Sequence, residues 1–92
     1  MRLLIGPLLL LPAASAAAST GEAWDEFRQD VRTACRSLAP QEAAVTVEVN
    51  PYGSEHYGVA IITVDTGTGT DRLICIYDKA SHAAELSAPF AE

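Results

Sequence analysis

The sequence predicts an α+β fold in which an N-terminal helix packs on one face of a three- to four-stranded antiparallel meander, with one disulfide. Three observations predict it. Apolar residues recur at helical spacing from Trp24 to Leu38, three strand-like runs rich in β-branched residues follow, and Cys35 and Cys75 fall one in each half.

Before the helix comes a three-part leader pattern. Arg2 supplies a positive start, Leu3 to Leu11 form an apolar run broken only by Gly6 and Pro7, and small residues run from Ala13 to Ser19. The run is shorter than the roughly 20 residues needed to cross a bilayer. Residues 1–18 are therefore expected to be a cleaved signal peptide, and the mature chain to begin at Ser19 or Ala17, with no membrane anchor left after cleavage. Residues 19–92 then make a single small domain, in which the loss of Arg2 leaves five basic against 12 acidic side chains, a formal charge of −7. Such a surface repels phosphate backbones and suits solubility or a basic partner, so no nucleic acid is expected. The Arg and Ala bias fits a bacterial protein that is periplasmic or secreted.

Trp24, Phe27, Val31, Ala34 with Cys35, and Leu38 form one stripe of a helix spanning Gly21 to Leu38, with acidic side chains early, arginines late and Pro40 as the stop. Ser19 and Glu22 match a capping box. Val45, Val47 and Val49 alternate with Thr46 and Glu48 as a half-buried strand, and Asn50 to His56 form a turn and loop. Tyr57 to Asp65 is apolar on both faces, Thr66 to Thr70 is a hairpin connection, and Arg72 to Asp78 is the third strand. Ala83 to Leu86 fits either a short edge strand or one helical turn, and residues 79–92 otherwise read as a loose tail.

Centring the hairpin on Thr68-Gly69 sets Asp65 opposite Arg72 and Ile61 opposite Ile76. Ala60, Ile62 and Val64 then share a face with Leu73, Cys75 and Tyr77, and the helix must cover that face for Cys35 to meet Cys75. In an exported chain these two cysteines are expected to pair, and closing the loop between them stabilises the fold by about 4 kcal/mol on the chain-entropy model.

The YGVAI and ICIYDK segments between Tyr57 and Lys79 resemble small uncharacterised exported proteins of alphaproteobacteria, which implies a compartment and no activity. The element order broadly resembles small periplasmic modules such as outer-membrane assembly factors of the SmpA/OmlA type. Their second helix and lipidated cysteine are absent here, so nothing functional carries over.

No catalytic residue, metal site or cofactor is expected. His56 and His82 lie far apart in sequence, and Glu55-His56 supplies two ligands where metal sites need three or four. Ser54-Glu55-His56 contains triad residue types, but neighbours along a loop seldom converge in triad geometry. The stretch Asp65 to Asp71 leads into a strand, leaving no helix terminus for a phosphate, and misses the calcium-loop spacing. Arg28, Arg32 and Arg36 form a basic stripe beside the apolar one, which reads as a solvated flank or as a charged surface for a partner.

The sharper clue is the face the helix leaves open. Val59, Ile61, Thr63, Ile74 and Ile76 share it, continued by Thr46 and Glu48. Unless the tail with Leu86, Pro89 and Phe90 folds over it, this apolar surface marks an interface with a protein partner or a homo-oligomer. The expected function is a non-enzymatic exported interaction module. The alternative is a small inhibitor or ligand-binding protein acting through the loop at residues 50–58, where Tyr52, His56 and Tyr57 cluster.

Overall fold

The computed structural model describes residues 20–91, so the leader, both expected start sites and Ser19 of the capping box lie outside the described residues. Helix α1 (Gly21–Leu38) is followed by strands β1 (Ala44–Val49), β2 (Tyr57–Asp65), β3 (Thr70–Asp78) and β4 (Ala84–Leu86). The strands form one antiparallel sheet in the order β1-β2-β3-β4, with α1 on one face.

The helix begins at its cap. Thr20 is the N-cap, its hydroxyl accepting a hydrogen bond from the Ala23 amide at 3.0 Å. This corrects the expected Ser19–Glu22 box, because a helix starting at Gly21 places the cap at residue 20. At the other end Ala39 is extended, as a residue preceding proline must be. That bend turns Ala39 into the core and leaves Leu38, the last member of the apolar stripe, 44% exposed.

The core lies between α1 and the inner face of the sheet. Val31, Cys35, Val47, Ala60, Ile62, Val64, Cys75 and Tyr77 are all buried there. Cys35 and Cys75 are bonded across it with Cα atoms 5.8 Å apart, both fully buried. Of the two readings open for Ala83 to Leu86, the edge strand is the one formed: β4 pairs Ala84 with Tyr77 and Leu86 with Cys75, extending the inner face.

The hairpin register differs from expectation. Asp65 pairs with Thr70 and Ile61 with Ile74, two residues from the expected partners. The turn is centred one residue earlier, on Gly67-Thr68, with the Thr66 amide bonded to the Gly69 carbonyl at 2.9 Å. Gly67 takes a positive φ of 90°, which favours glycine at the first central position of such a turn. The Asp65 carboxylate accepts from the Gly67 amide at 2.9 Å. These local terms outweigh an exposed Asp65–Arg72 cross-strand pair worth roughly 0.2–1 kcal/mol. Moving a turn centre by one residue shifts pairing by two, so every side chain keeps its face.

Helix and sheet approach most closely at Gly58, where a methyl group would lie 2.8 Å from Val31 Cγ2 and 3.0 Å from Phe27 Cζ. Gly58→Ala is therefore expected to lower the unfolding free energy by about 1–3 kcal/mol, the usual cost of overpacking. Chemical denaturation measures this, and an unchanged midpoint would show that α1 does not rest on Gly58.

Candidate functional site: an open sheet face, a capped edge and a cleft

The outer face of the sheet is built by strand alternation. Val59 stands opposite Ile76, Ile61 opposite Ile74 and Thr63 opposite Arg72, with Thr46 and Glu48 alongside from β1. The five side chains expected to form this surface do share it, and all are half-buried, shielded by one another rather than by a second layer. Tyr57, 45% exposed, belongs to the same face by strand parity. Shallow depressions flank the apolar centre. One of about 240 Å³ lies beside Glu48, Pro51, Val59, Ile61 and Ile74, the other of about 320 Å³ beside Tyr57, Ile76 and Glu85.

The tail does not cover this face. After β4 it continues along the edge of β3: the Ser87 amide donates to the Ile74 carbonyl and the Phe90 amide to the Arg72 carbonyl, both at 2.8 Å. Phe90 is 48% exposed, with the Arg72 guanidinium 5.8 Å from its ring centre.

The three helix arginines act on the free edge of the sheet. The Asn50–Val59 hydrogen bond fixes the ladder phase, so Thr46 and Glu48 bond to β2 while Val45 and Val47 direct their backbone groups outward. Arg32 Nη1 donates to the Val47 carbonyl at 2.9 Å, Arg36 Nη2 to the Val45 carbonyl at 3.2 Å and Arg28 Nε to the Pro51 carbonyl at 3.0 Å. The basic stripe is thus a ladder capping β1, and its donors are turned to the chain's own backbone rather than outward. Capping suppresses addition of a further strand at that edge.

The loop between β1 and β2 brings together two of the three residues expected to cluster there: His56 meets Tyr57 edge to face at 6.4 Å, while Tyr52 stands apart. The Asn50 carboxamide oxygen accepts from the Tyr52 and Gly53 amides, and Gly53 has φ 70°. Tyr52 is thereby set on the helix side, 4.8 Å from the Trp24 ring and 5.3 Å from the Arg28 guanidinium. Tyr57 points to the outer sheet face instead. His56 stands exposed beside Glu55, 4.0 Å from its carboxylate, and no group of three potential metal ligands converges among the described residues.

A further concavity of about 270 Å³ opens between the first half of α1 and the end of β3. Trp24 and Phe27 meet edge to face at 5.5 Å, and Phe27 meets Tyr77 at 6.2 Å. His82 stacks on Tyr77 at 5.8 Å. Lys79 crosses one end, its ammonium 5.4 Å from the Trp24 ring centre and 5.0 Å from that of Phe27 while donating to the Tyr52 and Ser54 carbonyls. His82 is held by the β3–β4 turn, where the Asp78 carboxylate accepts from the Ser81 and Ala80 amides. Those bonds keep the Asp78 pKa below the usual carboxylate value, so their contribution is present above the ordinary Asp range and fades as pH falls through the lowered value. Burial, with the Asp30 carboxylate nearby, pushes the Tyr77 hydroxyl above its ordinary value. The sequence signals for this cleft were the i, i+3 pair Trp24 and Phe27 and the i, i+4 pair Glu26 and Asp30, both of which read as ordinary helix faces.

Comparison with protein-family models, curated proteins and solved structures found no match. The functional reading accordingly rests on geometry.

The arginine ladder is testable. Arg32→Ala with Arg36→Ala is expected to loosen β1 by about 1 kcal/mol, discounted for exposure. The Thr46 and Glu48 amides, which bond to β2, should then exchange with solvent about fivefold faster. Unchanged exchange at both would show that the arginines do not hold the strand.

Proposed function

We propose that this chain is an exported, non-enzymatic interaction module that binds a partner protein through the outer face of its sheet. The observation that carries the reading is the apolar row Val59, Ile61, Ile74 and Ile76, which neither helix nor tail covers. Apolar surface left open on a small acidic domain is characteristic of an interface. The edges direct recognition to the face: β1 is capped by arginines, and β4 is only three residues long.

Charge favours a partner of another kind over a second copy. Glu48 and Glu85 border the row against one basic side chain, Arg72, and the chain carries a formal charge of −6, so a second copy would bring a predominantly like-charged surface. An apolar surface with a basic rim is complementary. Export is part of the reading, supported by the leader pattern, by the buried disulfide and by the absence of a membrane-length apolar helix among the described residues.

Ile61→Lys with Ile74→Glu tests the face, since these residues are directly opposed and opposite charges keep the pair attractive. The double variant is expected to unfold within about 1 kcal/mol of the parent. It should also lose crosslinked capture of the partner and any self-association seen by sedimentation. A parallel Tyr52→Ala, His56→Ala variant should retain both. Capture lost in the loop variant and kept in the face variant would overturn the proposal in favour of a loop-mediated inhibitor or ligand-binding role.

A further inference from the structure

The cleft between α1 and the end of β3 lies on the helix side, away from the sheet face, and carries an inference of its own. Its walls are aromatic, with Trp24, Phe27 and Tyr77 in edge-to-face contact. Two carboxylates one helical turn apart, Glu26 and Asp30, line its rim, and neither has an ion-pair partner among the described residues. Tyr77 is only 4% exposed, yet its hydroxyl makes no hydrogen bond among the described residues while lining the cleft. A hydroxyl that faces a cleft without a protein partner is open to a ligand or water.

We infer that this cleft binds an organic cation, an ammonium or guanidinium on a short apolar stem. The stem lies on the Trp24 and Phe27 rings, the cationic head faces Glu26 and Asp30, and an N–H of the head donates to the Tyr77 hydroxyl oxygen. The aromatic rings receive the apolar stem, and the unpaired carboxylates select a cationic head over a neutral or anionic one. Lys79 shows the chemistry within the chain, its own ammonium resting against the same two rings. That ammonium is committed to the Tyr52 and Ser54 carbonyls, so it leaves the carboxylates free. The overall charge of −6 draws cations toward the site. The same chemistry comes from two sources, a free amine or an Arg or Lys side chain of a peptide.

Trp24 is the only tryptophan in the sequence, so its fluorescence reports from the cleft wall. The full chain is titrated at constant ionic strength with butylammonium, agmatine, a Gly-Arg-Gly peptide and 1-butanol. The cations are expected to give a saturable change by about 20 mM, and butanol none. Glu26→Gln and Asp30→Asn should each weaken binding about three- to tenfold, and Tyr77→Phe about threefold, with unfolding midpoints matched to the parent. Peptide binding at least tenfold tighter than agmatine assigns the site to a side chain; equal or weaker binding assigns it to a free amine. Saturation by butanol at the same concentrations, no saturation by any cation, or affinities unchanged in Glu26→Gln and Asp30→Asn would overturn the inference. If Tyr77→Phe melts early, the tyrosine ring resonances of the parent, which should shift with the cations and not with butanol, take its place.

Discussion

The Cys35–Cys75 bridge joins the C-terminal half of α1 to the middle of an interior strand, and so assigns the only described helix to one side of the sheet. A domain of this size buries only about 60% of the surface its unfolded chain exposes and depends on such a staple. Once the bridge is placed, Val31 and Phe27 settle over Gly58, and Ile62, Val64 and Val47 are enclosed. The opposite side of the same strands receives no second layer. Its isoleucines and valine are the consequence of one helix facing a two-sided sheet.

The remaining polar groups manage what that arrangement leaves unsatisfied. An open sheet has two edges, and unpaired carbonyls on an edge invite another strand. Arg28, Arg32 and Arg36 recur at helical spacing and meet successive acceptors along β1 and its exit at Pro51. Lys79 does similar work at the end of the molecule, tying the β1–β2 loop to the rings of α1. Four of the chain's six cationic side chains are thereby turned toward its own backbone. Glu26, Asp30, Glu48 and Glu85 carry no such internal pairing among the described residues, and these carboxylates border the cleft and the open face.

What was legible in the sequence was what periodicity encodes. The 3-4-3-4 spacing from Trp24 placed α1, strand alternation placed both faces, and those two patterns together aimed Cys35 at Cys75. Face assignment survived the wrong turn centre because the error was an even number of residues. The turn itself was decided by an Asp65 side chain bonding locally and by Gly67 at positive φ, terms that a cross-strand charge argument does not contain. The arginine ladder and the cleft were illegible for a different reason. Each joins residues far apart in the chain, Arg32 to Val47 and Asp30 to Tyr77, through side chains whose helical spacing alone reads as a solvated flank.

One face of this sheet is buried by the helix and the other is open. Methyl-labelled protein with a soluble paramagnetic chelate measures this directly. Strong relaxation of the Val59, Ile61, Ile74 and Ile76 methyls is expected beside weak relaxation of Ile62, Val64 and Val31, in the free chain at low concentration. Equal protection of both sets would contradict it, since the outer face would then already be covered.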